Sequence, residues 1–394
     1  MDAQPGAPSQ SCGALKPSIA KETNVLPPEN GSMTPANFAC PRLRIVMKNH
    51  LFAVVSVFVI FLSTAFAQGP LPLGSVTAPT QLAACPSHFQ TGSTCFEAAV
   101  SCPNAAGIRA TFGVSEPAGI PRGTIVLLSG AGGNEPGLGN YAASYRRAGF
   151  RVVQAAWATN WEDTGIAAKS IKAAACRAAT LLNYIDQNIY DGNGGMCAQG
   201  FSAGSAQVAY SLANYGAGNF LDKVELLSGP VFSDIAEGCE VPLAPPIAIC
   251  SPGQFGCNGS AWTDKPQYPG GVSQLISTLT GLACQGPGMT SGKENSQWKA
   301  MSIVDGTLDS NFRYPQTAVA GWLCSNGLNN SAAQGQLFYR NLGPGQTAQY
   351  SLTRIDNCAG PEGVDRGTTP QSVTGFAAIT TDMTDPVAGC IKRH

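Results

Sequence analysis

The sequence predicts an α/β protein: a mostly parallel central sheet with helices on both faces. Three observations lead there. From about residue 95 strand-like and helix-like segments alternate along the chain. Gly123 to Leu128 (GTIVLL) is a continuous apolar run, as expected of a strand covered on both faces. An apolar strand ending in Gly200 meets an Ala-rich helix through the turn Gly200-Phe201-Ser202-Ala203-Gly204.

Taken in order, Cys95 to Cys102 and Ile108 to Val114 read as two opening strands with a turn at Pro103-Asn104. GTIVLL follows, then the Gly-rich loop Ser129 to Gly133, a short helix around Tyr141 to Ala148 and a strand from Phe150 to Ala158. Ile166 to Tyr190 is the clearest helix, because Ile171, Ala175, Ala178, Leu182 and Ile185 recur at helical spacing and define one apolar face. Met196 to Gly200 is a short strand, Ala203 to Tyr215 a helix of small residues, and Lys223 to Leu227 another strand. Residues 230–297, rich in Pro, Gly and Cys, read as a disulfide-stapled excursion covering one end of the sheet. Alternation is then expected to resume with a strand from Trp298 to Val304, a helix near Gln316 to Cys324, a strand near Gln349 to Ile355 and a final helix around Gln371 to Met383.

The 394 residues are 44% hydrophobic with 46 Gly and 28 Pro, enough for a sizeable core with many loops. Only 12% are charged and the net charge is −1; with no Lys/Arg cluster, nothing recruits nucleic acid or an anionic membrane. Low charge suits an exported protein held together covalently. Leu51 to Ala67 is an apolar run preceded by Arg42, Arg44 and Lys48 and closed by Ala65-Phe66-Ala67, which has the form of a secretory signal. The plainer alternative is an uncleaved anchor. Met47 is then the expected start, with residues 1–46 a non-native or disordered extension, 47–67 a signal peptide, 68–94 an N-terminal segment and 95–394 the α/β domain that carries the excursion 230–297. The expected location is extracellular or periplasmic. Apart from Cys12 and Cys40 the cysteines are even in number and include no C-x-x-C pair, which favours a disulfide framework over metal ligands. No cofactor or metal motif is present, and the oligomeric state is not legible.

With 46 Gly in the chain, a G-x-S-x-G match carries little weight alone, and an ordinary strand–helix turn is its plain reading. Its context raises it. A nucleophile elbow needs a strand before, a helix after and nearly side-chain-free flanks, so that the Ser202 hydroxyl is lifted to the helix start. Ser129-Gly130-Ala131-Gly132-Gly133, one strand–helix–strand–helix unit earlier, suits an oxyanion loop, with Gly130, Ala131 and Ala203 as amide donors. On these two motifs residues 95–385 resemble the α/β-hydrolase superfamily, in particular its secreted serine carboxylesterases. The resemblance implies an α/β-hydrolase fold, acylation of Ser202 followed by hydrolysis, and nucleophile, acid and histidine in that order along the chain.

The resemblance implies an acid beyond the strand expected at Trp298 to Val304. Asp309 stands at the family's position, with Asp305 and Asp234 as alternatives; each also reads as a turn carboxylate. Histidine is scarce: His50, His88 and His394 are the only three. The loop Asn357 to Gly363, where the family keeps its histidine, contains none, a departure from the pattern. His394 has the right chain order, and a Cys358–Cys390 disulfide would pin the tail near that loop. His88 and Glu362 are the other candidate bases. The expected substrate is an ester, small or polymeric, with Trp157 and Trp161 at the cleft or in the core. Two readings compete with the esterase: a non-catalytic binding protein of the same fold, lacking a functional base, and a peptidase on that fold.

Overall fold

The computed structural model describes residues 69–163, 170–239, 244–285, 293–304, 310–325, 330–356 and 373–394. The expected extension, the signal segment, Asp305, Asp309 and Glu362 lie outside them. Eight strands form the body of one sheet: β1 (Thr94–Cys102), β2 (Ala105–Ser115), β3 (Gly123–Leu128), β4 (Arg151–Trp157), β5 (Gly195–Phe201), β6 (Lys223–Leu227), β7 (Tyr314–Cys324) and β8 (Thr347–Ile355). Their spatial order is β1-β2-β4-β3-β5-β6-β7-β8. β2 runs antiparallel to β1 and to β4, and every pairing from β4 to β8 is parallel. This is the α/β-hydrolase fold.

Alternation along β3 shows how the sheet is covered. Ile125 and Leu127 join a cluster with Tyr141, Tyr145, Ile379 and Met383, from α1 (Gly139–Arg147) and α6 (Val373–Thr384). Val126 and Leu128 face the opposite cluster, fed by α2 (Ile171–Asn188) and α3 (Ala203–Tyr215). Successive residues of a strand point to opposite faces, so a strand apolar throughout needs two covering layers. Five disulfides join Cys85–Cys95, Cys102–Cys176, Cys197–Cys390, Cys239–Cys284 and Cys250–Cys257, and Cys324 is bonded as well. The expected Cys358–Cys390 bridge is therefore corrected: Cys390 is tied to Cys197 in the amino-terminal half of β5.

Two elements differ from expectation. Trp298 to Val304 is not a strand; α5 (Lys293–Met301) occupies most of it, with Trp298 and Met301 buried three residues apart. The segment expected to be helical near Gln316 to Cys324 is β7, buried along its apolar length. A run such as Thr-Ala-Val-Ala-Gly-Trp-Leu-Cys has no period of its own, so pairing with β6 and β8, not local preference, decides its state.

Candidate active site

β5 ends at Phe201 and α3 begins at Ala203, leaving Ser202 alone to make the turn. Its backbone takes φ 52° and ψ −117°, a conformation costing a non-glycine residue about 1–3 kcal/mol. The turn is held from both sides. Ser202 N–H donates to Leu227 O at the end of β6 (2.8 Å), and Ser202 O accepts from Ser205 N–H (3.0 Å). The flanking glycines are a steric requirement: a Cβ on Gly200 would overlap Gly204 O, and a Cβ on Gly204 would overlap Leu128 O and lie 2.6 Å from Ser129 O. Those oxygens belong to the backbone and cannot swing away. Gly204→Ala is accordingly expected to cost about 3 kcal/mol or more, at the upper end of overpacking effects. Thermal unfolding checks it; an unchanged melting temperature would contradict the close approach.

The Gly-rich loop lies against this turn. A Cβ on Gly130 would stand 3.1 Å from Ser202 Cβ and 3.1 Å from Phe201 O. Ala131 is itself at φ 48°. Among the described residues, the N–H groups of Gly130, Ala131 and Ala203 donate to no backbone or side-chain acceptor. Three free amides beside one hydroxyl at a helix N-terminus can stabilise a developing anion. A cleft of about 400 Å³ opens along the loop, lined by Gly130 to Glu135, Leu138 and Phe201.

The remaining sequence candidates are distributed unevenly. Asp234 caps a turn: its Oδ1 accepts Glu237 N–H (3.0 Å) in the first turn of α4 (Ile235–Cys239), and burial raises its pKa. Asp305 and Asp309 fall outside the described residues; the segment before them that was expected to be a strand is α5. The chain resumes at Ser310, which accepts from Asn214 Nδ2 (3.2 Å) near the C-terminal end of α3, the end away from Ser202. His394 is corrected outright as a partner for Ser202. Its Nε2 is 3.3 Å from Leu221 O and its N–H donates to Asp222 Oδ1 (3.2 Å), at the amino end of β6. Ser202 sits beyond the other end, roughly 20 Å away at about 3.3 Å per strand residue. The Cys197–Cys390 bond anchors the tail there. His88, by contrast, lies by the loop: its Nε2 is 4.0 Å from Glu135 Oε1.

Trp157 and Trp161 are 2% and 0% exposed, so they belong to the core and line no open cleft. Sequence reasoning passed over two buried polar side chains here. Gln207, on α3, accepts Trp157 Nε1–H on its Oε1 (2.9 Å). Glu162 is 1% exposed, and among the described residues its carboxylate oxygens find no partner outside Glu162's own backbone. Burial raises its pKa to about 8, opposed by a backbone hydrogen bond and the Arg177 charge. Arg177 spends its guanidinium on the carbonyls of Trp161, Asp163 and Ala106. Among the described residues no three His, Cys, Asp or Glu side chains cluster to hold a metal ion.

No model of a known protein family matches the chain, and no curated protein does. Solved structures do resemble it. Acetyl Xylan Esterase 1 from Thermoanaerobacterium sp. JW/SL YS485 is 14% identical with a TM-score of 0.46, over 79% of this chain and 89% of that one. Brefeldin A esterase, a bacterial homologue of human hormone sensitive lipase, is 13% identical with a TM-score of 0.43, over 77% and 79%. A highly thermostable carboxyl esterase from Bacillus coagulans is 15% identical with a TM-score of 0.39, over 67% and 90%.

Proposed function

We propose that the chain is a secreted serine hydrolase that cleaves carboxylic esters through an acyl-enzyme on Ser202. The observation that carries this reading is the meeting of Ser202, at φ 52° on its cramped turn, with the undonated amides of Gly130, Ala131 and Ala203. In this mechanism Ser202 Oγ attacks the ester carbonyl and loses its proton to a base. The carbonyl oxygen becomes anionic against the three amides, the alcohol departs, and water repeats the sequence on the acyl-enzyme. The disulfides and the signal-like segment 51–67 support export.

A fluorophosphonate probe tests the reading: it should label the folded protein, and peptide mapping should recover the adduct on Ser202. A well-folded protein that takes no label would favour the second reading, a binding protein on a hydrolase scaffold. That reading draws on one observation: of the two described histidines, His394 is at the far end of the sheet. His88→Ala addresses the other. A fall in labelling of about 10²–10⁴-fold assigns the base to His88, and an unchanged rate directs attention to Glu362.

A further inference from the structure

Resting on the reading of Ser202 as nucleophile, we propose that Trp157 and Gln207 are positioning residues that lock the oxyanion loop to the helix carrying that serine. The amide donors come from two separate pieces of chain: Ala203 from α3, Gly130 and Ala131 from the loop after β3. A hole assembled from two pieces is only as accurate as the link between them, and an error near 1 Å is enough to weaken a catalytic hydrogen bond.

The link runs through the end of β4. Trp157 N–H donates to Gly133 O (2.8 Å), and Trp161 N–H donates to Gly132 O (2.9 Å). Gly133 lies flat against the indole: a Cβ there would be 2.7 Å from Trp157 Cδ1 and 3.5 Å from Gln207 Nε2. Its φ of 70° also requires glycine. The indole in turn is tied to α3, through Trp157 Nε1–H to Gln207 Oε1 at 2.9 Å, wholly buried. An indole nitrogen only donates, so the Gln207 amide has one possible orientation, oxygen toward Trp157 and Nε2 away from it. That Nε2 is buried and hydrogen-bonded to nothing among the described residues. Gln207 follows Ser202 by five residues on the same helix, so loop, indole, amide and nucleophile form one closed chain of contacts.

Two substitutions on different elements test this: Gln207→Leu and Trp157→Phe, each keeping apolar bulk while cutting the hydrogen bond. The readouts are the second-order rate of fluorophosphonate labelling at Ser202 and steady-state turnover of p-nitrophenyl acetate, per folded molecule. Each variant is expected to label about tenfold more slowly or worse, with kcat reduced and KM within about twofold; tenfold corresponds to about 1.4 kcal/mol of barrier. The double variant is expected to lose no more than the worse single one, because both cut the same link. If Gln207→Leu does not fold, Trp157→Phe and Gln207→Met carry the test. Variants that label at the wild-type rate, even if less heat-stable, overturn the inference while leaving the serine reading intact. A wild type that takes no label overturns both.

Discussion

Replacing Ser202 by alanine is expected to abolish ester turnover, with a loss on the order of 10⁴–10⁶-fold, and to leave the fold unchanged. In the proposed mechanism the size follows from removing the atom that forms the covalent intermediate, which in serine hydrolases costs up to about 10⁶-fold in kcat. What survives is the contribution of the oxyanion amides and binding alone. The unchanged fold follows from the structure. Ser202 holds the turn with its backbone, through Leu227 O and Ser205 N–H, and its Oγ bonds to no described residue. Alanine at φ 52° is no more strained than serine. Turnover of p-nitrophenyl acetate by wild type and Ser202→Ala, alongside their melting curves, measures both halves. A variant retaining more than about a hundredth of the activity would remove Ser202 from the chemistry.

Glu162→Gln is expected to alter the pH dependence of stability more than any other conservative substitution near the site. In the folded chain burial raises the Glu162 pKa from 4.5 to about 8. Unfolded, the carboxyl returns to the ordinary range and ionises near 4.5. Between those values the folded state binds a proton that the unfolded state has lost, so stability falls as pH rises. The stability is complete below about pH 4.5, declines through pH 8 and is then exhausted. The rise from 4.5 to about 8 sets the full effect at about 5 kcal/mol. Glutamine cannot ionise. The gap between Glu162→Gln and wild type should therefore widen in the variant's favour from acid toward pH 8. Denaturant melts across this range, with disulfides intact, read it directly. Parallel curves would mean that the carboxyl finds a partner or water.

Much of this molecule was legible from residue order, for identifiable reasons. Ser202 stood out because a nucleophile turn demands side-chain-free flanks, and that demand is visible as Gly200 and Gly204. The strands β3 and β5 carry largely apolar runs bounded by turn residues, and α2 and α3 follow a helical period or are dense in alanine, so local chemistry and final structure agree. Where they diverged, periodicity was missing. β7 has an Ala and Leu content that suits a helix, and α5 a stretch around Trp298 that suits a strand. Only neighbouring strands resolve such segments.

What sequence by itself determined, then, is the class of fold, the Ser202 turn and the Gly-rich loop, all consequences of local sterics and hydrophobic period. Which remote residues meet was decided by tertiary structure alone. His394 comes after Ser202 in the chain, yet Cys197–Cys390 holds the tail at the foot of the sheet, about a strand's length from Ser202. Gln207 and Trp157 are 50 residues apart and share a buried hydrogen bond. Nothing in the sequence around Glu162 marks it for burial, and the fold encloses it. Burial and long-range pairing depend on how β-strands order themselves across the sheet, a collective outcome that no single segment encodes.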